Sequence, residues 1–233
     1  MREIVFDTET TGLDPFQGDR LVEVGCIELL NRFPTGKMFH CYFNPERDMP
    51  EQAFKIHGLS IEFLKDKPLF ATKVDELIAF LGDDAVLVAH NAMFDLGFLN
   101  AEFERAGRGG VSRERIVDTL LLARRKHPGG ANRLDDLCAR YSIDNSRRTK
   151  HGALLDAELL AEVYIELIGA RQAQLVLSQT AAAPVRIAGE PIVLRERAAP
   201  LPPRLSKDER LAHRRFVATL GENAIWRDYV SLD

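Results

Sequence analysis

Three short acidic motifs, FDTETTG, HNAMFD and HGALLD, constrain the fold of this chain more than any other feature. They contain Asp7 with Glu9, Asp95, and His151 with Asp156. Each motif lies where an apolar run ends or a helical pattern begins, so the fold can bring these five side chains into one cleft. Four carboxylates in one cleft repel each other. Because hard oxygen ligands suit Mg²⁺ or Mn²⁺, the sequence predicts a divalent metal site and metal-assisted attack of water on a phosphodiester.

The composition is that of a soluble globular protein. The 233 residues, 45% hydrophobic and 28% charged, can form one well-packed domain plus an appendage. No apolar run approaches the ~20 residues of a membrane span, and the N-terminus runs directly into a predicted strand without a signal peptide. The three cysteines, Cys26, Cys41 and Cys138, lack CxxC spacing and are typical of reduced thiols. We therefore expect a cytoplasmic protein.

The distribution of charge limits how this chain can hold nucleic acid. The net charge of −4 divides into +4 for residues 184–217, −2 for residues 218–233 and hence −6 for residues 1–183. Non-specific affinity for nucleic acid comes from neutralisation of phosphates by Lys and Arg. If DNA is the substrate, bound metals and a few local basic residues have to hold it, or a partner has to deliver it.

Hydrophobic patterns predict three early strands, at residues 3–7, 21–30 and 37–43. The segment NRFPTG between the second and third strands has the composition of a turn, so these two strands are predicted to form an antiparallel hairpin. A helix with Thr72 as N-cap is predicted to end at Gly82.

The next part of the chain alternates strands with helices. A buried strand at residues 85–89 leads to Asn91, a candidate cap of the helix that carries Asp95. Asp118 is predicted to cap a further helix after a short strand, and Asn132 to cap another. Early strands followed by this alternation indicate a mixed α/β sheet flanked by helices.

The spacing within HGALLD predicts where its two functional residues lie. If both were helical, five positions would separate them by ~140° around the axis. They can reach one site only if His151 precedes the helix and Asp156 lies within it, and Gly152 allows that break. His151 is then a loop imidazole able to accept a proton from water near neutral pH.

The C-terminal part is predicted to be a tether. Prolines are dense in residues 181–204, which indicates an extended linker, and Ser206 with Glu209 forms a capping box for a short helix that should stop at Gly221. We expect a catalytic domain at residues 1–178, a Pro-rich linker at 179–205 and a partner-binding tail at 206–233. The alternative is a tail helix that packs back on the core.

The three motifs resemble those of the DEDD exonuclease superfamily, histidine type, which has a ribonuclease-H-like fold. The segments PEQAFKIHG and ANRLDDLCARYSIDNSRRTKHGALLDAELLAEVYIEL resemble, more closely, the family of proofreading epsilon subunits of bacterial DNA polymerase III. This resemblance implies 3′→5′ hydrolysis with two Mg²⁺ or Mn²⁺ ions. It implies four metal ligands and one general base: Asp7, Glu9, Asp95 and Asp156, with His151 as the base.

The resemblance also implies contacts to the substrate. The family's nucleotide-contacting positions match Gln52, where the family has Glu, and His57. Further candidates lie beside the acids, and Leu13 and Phe94 could wedge against the terminal base, although Phe94 could equally be part of the core. The predicted substrate-binding set is Gln52, His57, Thr10, Leu13, Asn91 and Phe94.

Two partners are implied. Gln172, Leu175 and Leu177 resemble a sliding-clamp-binding peptide, and the tail, with Trp226 and Tyr229, would dock on the polymerase catalytic subunit. Two alternatives stay open: an RNA-trimming exonuclease of the same superfamily, and a polymerase–clamp adaptor with dispensable activity.

Overall fold

A computed structural model describes residues 1–170, 206–220 and 226 of the chain. It divides the chain into two units, Met1–Val176 and Leu177–Asp233. The predicted linker and several predicted partner contacts lie outside the described residues, namely Gln172, Leu175, Leu177 and Tyr229. Within the described part of the chain, no helix is both long and apolar enough to cross a bilayer.

The first unit is built on one five-stranded mixed sheet. Its strands are β1 (Arg2–Thr10), β2 (Leu21–Leu30), β3 (Phe33–Tyr42), β4 (Val86–Ala89) and β5 (Ile116–Asp118). The spatial order is β3-β2-β1-β4-β5. The first three strands are antiparallel, whereas β4 runs parallel to β1 and β5 parallel to β4. The predicted mixed α/β sheet is therefore confirmed, with β1 at its centre.

Helices cover both faces of the sheet because alternate strand residues are apolar on each side. Ile4 and Phe6 of β1 belong to a cluster that includes Phe98 and Phe103, whereas Val5 packs with Leu160 on the opposite face. The helices are α1 (Glu51–His57), α2 (Ile61–Leu64), α3 (Phe70–Leu81), α4 (Met93–Arg105), α5 (Thr119–Lys126), α6 (Leu134–Tyr141), α7 (Ala153–Leu167) and, in the second unit, α8 (Lys207–Thr219).

The β2–β3 hairpin is confirmed, but its turn is shorter than predicted. Only Asn31 and Arg32 form the turn, with positive φ angles of 52° and 74°, and β3 already begins at Phe33. Two left-handed residues make a tight turn whose twist matches that of the strands, so pairing resumes at once. Pro34 is accommodated because β3 is an edge strand.

The start of α3 differs from the prediction. The helix begins at Phe70 with Leu69 as N-cap, and the Thr72 hydroxyl donates to the Leu69 carbonyl at 2.7 Å. Thr72 is therefore inside the first turn rather than at its cap. The predicted end at Gly82 is confirmed, since Gly82 is the C-cap with a positive φ of 61°.

Two other predicted caps are displaced by one residue. Ala92 rather than Asn91 is the N-cap of α4, and Arg133 rather than Asn132 is the N-cap of α6. Asn132 instead donates to the Gly130 carbonyl at 2.8 Å and stabilises the preceding loop. The caps predicted at Asp118 and at Ser206 are confirmed.

Gly25 of β2 allows α7 to pack directly on the backbone of the sheet. It lies opposite Asp7 in the β1–β2 register. A Cβ atom at Gly25 would lie 2.3 Å from the backbone nitrogen of Leu154 and 2.4 Å from the carbonyl carbon of Ala153. The first turn of α7 therefore occupies the space that a side chain would need, immediately beside Asp7.

We expect Gly25→Ala to lower the free energy of unfolding by about 1–3 kcal/mol and to reduce activity, because the backbone of α7 has to move away from β1. Urea unfolding followed by circular dichroism measures the loss. Gly97→Ala is the matched control, since a Cβ there meets nothing within 4 Å and α4 gains a better helix former. Equal stability of the two variants would contradict the close-packing argument.

Candidate active site

The acidic motifs converge at the end of β1. Asp7 and Glu9 are both within β1, which extends to Thr10, so they project from the same face of the strand. Asp156 lies in the first turn of α7, on the face where that helix packs against β1 and β2. Asp95 lies in the first turn of α4. We name these four carboxylates, Asp7, Glu9, Asp95 and Asp156, the acidic cluster.

Two members of the acidic cluster lie close enough to each other and to His151 to bind one cation. Oxygen or nitrogen atoms of Glu9, His151 and Asp156 all lie within 4.8 Å of one another. Asp95 accepts a hydrogen bond of 2.7 Å from the Thr8 hydroxyl, which orients its carboxylate. The negative charge of Asp95 also raises the pKa of Asp7, so these two side chains are electrostatic neighbours.

Three members of the acidic cluster have strongly raised pKa values. Burial is the largest cause for Asp7, whose pKa lies well above its ordinary value, and the charges of Asp95, Glu9 and Asp156 add to it. Burial, followed by the charge of Glu23, raises the pKa of Glu9 to about 8. Burial raises the pKa of Asp95 to about 7 against the hydrogen bond from Thr8.

Asp156 differs from the other three because it has cationic partners. Burial would raise its pKa, but hydrogen bonds from His151 and Arg148 outweigh burial, and the pKa of Asp156 is lowered. The Arg148 guanidinium donates to both Asp156 oxygens at 2.6 Å and also binds Asp135 at 2.7 Å. A fixed cation therefore already lies against this end of the cluster.

The donor set fits divalent cations. The carboxylates are hard oxygen ligands, and Oε1 of Glu9 is buried without a hydrogen-bond partner. A cation near Glu9 would satisfy that oxygen and relieve the repulsion that raises the pKa values of the cluster. At Asp156 it would compete with the Arg148 guanidinium for the same oxygens. Asp7, Glu9, Asp95 and Asp156 are thus the residues that could hold it.

His151 lies on the loop before α7, as the motif spacing predicts. The helix starts at Ala153 with Gly152 as N-cap, and the His151 side chain is exposed. Its Nδ1 lies 3.2 Å from Asp156 Oδ2 and 2.7 Å from Arg148 Nη2. Its backbone nitrogen donates to the Ile56 carbonyl at 3.3 Å, so the end of α1 supports the loop.

The predicted nucleotide contacts occupy α1 and the end of β1. His57 is buried at the end of α1 and accepts a hydrogen bond from the Leu59 backbone at its Nδ1, whereas its Nε2 is buried without a partner. Burial lowers the pKa of His57, and the adjacent backbone of Thr10 opposes this. Gln52 is exposed on the same helix. His57 therefore lies beside the part of β1 that carries Glu9.

The other predicted substrate residues are in different environments. Leu13 is 82% exposed, which leaves its side chain available to a base. Phe94 packs against Phe98 with ring centroids 5.0 Å apart and contacts the core, which is consistent with the alternative that it is a core residue. Asn91 is exposed with a positive φ of 63° and lines a groove beside the acidic cluster. The substrate roles of these residues remain predictions.

That groove, here named the α5–α6 groove, has a volume of about 1030 Å³. It starts at Asp7, His151 and Asp156 and continues to the loop before α6. The acidic cluster is therefore open to an extended ligand on the β4–β5 side of the sheet.

Sequence reasoning missed three residues that shape the site. Gly25 interrupts an apolar strand and gives no sign that a helix packs on it. Thr8 lies inside the DTET motif, where its hydroxyl could have been recognised as a partner for an acid. Arg148 precedes His151 by three residues in a basic loop, and its sequence gives no sign that it binds Asp156.

The raised pKa values predict a pH-dependent stability. A carboxyl group whose folded pKa is raised binds more protons in the folded state, so the free energy of unfolding falls as pH rises. For Glu9 this window runs from its ordinary value of 4.5 to about 8. Because the pKa of Asp156 is lowered from its ordinary value of 3.8, this group changes the stability only near or below that pH. It therefore does not oppose the fall in stability that Glu9 causes at higher pH. In EDTA, the melting temperature should fall between pH 5 and 8.5, and Mg²⁺ should reduce the fall.

Glu9→Gln should reduce this fall in melting temperature by roughly 5 °C, because it removes one of the carboxyl groups whose pKa is raised. Differential scanning calorimetry in EDTA at each pH measures it. Glu104→Gln removes an exposed carboxylate from α4 and is the control. If Glu9→Gln and Glu104→Gln followed the same curve as the unmodified protein, the electrostatic account of the cluster would be wrong.

The chain matches known exonucleases in sequence. A family model described as exonuclease (RNase T) matches residues 4–164. Similar curated proteins are named DNA polymerase III subunit epsilon. That of Rickettsia typhi is 54% identical over 175 residues, covering 74% of this chain and 76% of the relative. That of Rickettsia felis is 44% identical over 227 residues, covering 96% and 99%. That of Escherichia coli K12 is 47% identical over 175 residues, covering 72% of each.

Solved structures show the same fold. The nuclease domain of 3′hExo, a DEDDh family member bound to rAMP, has a TM-score of 0.63 at 15% identity and covers 72% of this chain and 92% of that one. Exonuclease X in complex with 5′ overhanging duplex DNA has a TM-score of 0.53 at 24% identity, covering 72% and 91%. The predicted ribonuclease-H-like fold is thereby confirmed. The chain belongs to the exonuclease family and, within it, to the family of DNA polymerase III epsilon subunits.

Proposed function

We propose that the chain is a 3′→5′ exonuclease that removes the terminal nucleotide of frayed or mispaired DNA during replication. The observation that carries the proposal is the convergence of the acidic cluster with His151 in one open cleft, as the DEDDh motifs require. The epsilon-subunit name of the relatives favours DNA over RNA as the substrate. The proofreading role follows from the position of such a subunit beside a polymerase.

Divalent cations, for which we propose two Mg²⁺ or Mn²⁺ ions, would acidify water and offset negative charge at the scissile phosphate. Asp7, Glu9, Asp95 and Asp156 would hold them. Thr8 keeps Asp95 oriented through its 2.7 Å hydrogen bond. In the neutral imidazole of His151, Nδ1 either carries the proton and donates to Asp156 or lacks it and accepts from Arg148. The partner of Nδ1 therefore determines the tautomer of His151. Donation to Asp156 leaves Nε2 free to accept a proton from the attacking water.

The terminal nucleotide would bind on the α1 side of the cluster. Because Nδ1 of His57 accepts from the Leu59 backbone, Nε2 carries the proton of the neutral ring and can donate to a sugar hydroxyl or phosphate. Gln52, exposed on α1, can donate through its amide where a member of the family has Glu. Leu13, which is exposed directly after the FDTETTG motif, would contact the base. A frayed base reaches this pocket at a lower cost than a paired one.

The assay is digestion of a 5′-labelled primer–template with a 3′ mispair, beside matched DNA and short RNA, with and without Mg²⁺. We expect metal-dependent shortening from the 3′ end, faster on the mispair and slow on RNA. Asp7→Ala protein is the blank, and His151→Gln should lower kcat by about 10²–10⁴-fold with little change in KM because a proton acceptor is lost.

The two alternatives give different outcomes in the same assay. Brisk RNA digestion with little action on DNA would assign the chain to the RNA-trimming exonucleases. No difference from the Asp7→Ala blank on any substrate would leave the polymerase–clamp adaptor as the function.

The partners are also part of the proposal. We expect a cytoplasmic subunit whose tail, residues 206–233, docks on the polymerase catalytic subunit, and whose residues 172–177 bind the sliding clamp. Trp226 is 56% exposed, so its indole is available to a partner. The boundaries at residues 178 and 205 follow from composition, and the support for a separate tail is the division of the chain into two units.

Replacing Trp226 and Tyr229 by Ala should weaken binding to the polymerase subunit by at least tenfold, since buried aromatic anchors dominate many interfaces. Hydrolysis of a single strand should be unaltered, because the acidic cluster and His151 all belong to the first unit. Surface plasmon resonance measures the binding. Phe33→Ala removes an aromatic side chain that is 74% exposed in the first unit and is the control. Unchanged binding by the Trp226/Tyr229 variant would contradict the tether proposal.

A further inference from the structure

Most arginines of the first unit have their charge neutralised by a carboxylate. Arg20, for example, binds Glu102 at 2.7 Å, and Arg108 binds Asp75 at 2.8 Å. The arginines in ion pairs are Arg2, Arg20, Arg32, Arg47, Arg105, Arg108, Arg147 and Arg148. Such pairing leaves little positive charge to attract an anionic ligand to the body of the domain.

Four arginines of the described residues 1–170 have neither an ion pair nor a hydrogen bond from the guanidinium, and they are grouped around α5. They are Arg113, Arg124, Arg125 and Arg133, and all four are exposed. Arg113 and Arg125 line a small depression with Met93 and Asp118. Arg124 and Arg133 line the α5–α6 groove together with Asp7 and Asp156. Two free guanidinium groups therefore belong to the same groove as the acidic cluster.

The groove places these two guanidinium groups on the β4–β5 side of the cluster, whereas the positive charge beside His57 on the other side comes from Lys150. In the sheet order β2-β1-β4-β5, His57 lies beside Thr10 and Glu23, on the β2 side of β1. The α5–α6 groove leaves β1 towards β4 and β5, where His90 and Asn91 follow the end of β4. The proposed nucleotide pocket and the free arginines are therefore on opposite sides of the acidic cluster.

The third arginine of the groove, Arg148, is shared between two carboxylates. It binds both oxygens of Asp135, at 2.8 and 2.7 Å, and both oxygens of Asp156, at 2.6 Å. Among the described residues, Arg124 and Arg133 are thus the two guanidinium groups of the groove that no carboxylate binds, on a domain whose net charge is negative.

We propose that Arg124 and Arg133 bind the phosphates of the substrate strand upstream of its 3′-terminal nucleotide. This inference rests on the proposed function, because it takes the terminal nucleotide to be held on the α1 side. A single strand that enters the cluster from the opposite side has to pass through the α5–α6 groove. Its phosphodiesters match the guanidinium groups in charge and in bidentate geometry.

The binding of these phosphates is independent of base sequence, as removal of any terminal nucleotide requires. It would also explain how a domain with excess negative charge holds DNA, since the contacts are confined to a short stretch beside the scissile bond. Strands of several nucleotides should therefore bind better than a substrate with a single nucleotide.

The test compares two double variants of the full chain with the same change in charge. Arg124→Gln/Arg133→Gln removes the groove charges, and Arg113→Gln/Arg125→Gln removes the neighbouring pair outside the groove. Each is assayed with a single-stranded octanucleotide and with the p-nitrophenyl ester of thymidine 5′-monophosphate, which has no upstream strand. Fluorescence anisotropy with a non-hydrolysable phosphorothioate octanucleotide gives binding without turnover.

For the groove variant we expect kcat/KM on the octanucleotide to fall roughly tenfold more than on the ester, as the loss of charged hydrogen bonds implies. The slope of log affinity against log salt should become shallower by about 1.4, at ~0.7 for each lost contact to a single strand. The control variant should keep the ratio of octanucleotide to ester activity. Equal losses in both double variants would overturn the proposal in favour of a bulk charge effect.

An unchanged octanucleotide-to-ester ratio in the groove variant would also overturn the proposal. Failure of the proposed function has a separate signature, because the unmodified protein would then hydrolyse neither the ester nor the octanucleotide above the Asp7→Ala blank. The two failures are therefore distinguishable from one set of measurements.

Discussion

The packing of α7 on the backbone of β2 at Gly25 is the contact on which the site depends. Asp7 lies opposite Gly25, and the first turn of α7 fills the space where a side chain would be. That turn carries Asp156 and begins directly after His151. Two motifs that are far apart in sequence are thereby brought together by the absence of a single Cβ atom. Because α7 also buries Leu160 and Tyr164 against the sheet, the core of the domain stabilises the position of the site.

The same packing brings together carboxylates that repel each other, and metal binding depends on these carboxylates. Burial and mutual repulsion raise the pKa values of Asp7 and Glu9, so the metal-free cluster is a destabilising feature of the fold. The Arg148 guanidinium binds both oxygens of Asp156 and offsets only part of the raised pKa values of Asp7 and Glu9. The remaining repulsion between the carboxylates is relieved when divalent cations bind, so it adds to their binding energy. Carboxylates that repel each other without a cation bind a cation more strongly than carboxylates already neutralised by the protein.

The sequence predicted the features that depend on local patterns. The hydrophobic pattern in residues 21–30 marked β2, and the spacing of His151 and Asp156 placed one on the loop and the other in the helix. The errors concern contacts that have no local pattern. Thr72 has the chemistry of an N-cap, but Phe70 packs into the core and extends α3 towards the N-terminus. Arg148 was not recognised as part of the site, although it binds both oxygens of Asp156. Its pairing is set by the packing of α7, which composition cannot reveal.

The arrangement of charge follows from the chemistry of the cluster. A strand of phosphates is repelled by four carboxylates, so positive charge spread over the whole domain would attract DNA without directing its end to the site. Ion pairs such as Arg20 with Glu102 remove that general attraction and stabilise the fold. The exceptions around α5, Arg124 and Arg133, face the groove that leads to Asp7. The unpaired guanidinium groups favour a strand that approaches the metal ligands along this groove, while Lys150 supplies positive charge beside His57 on the α1 side.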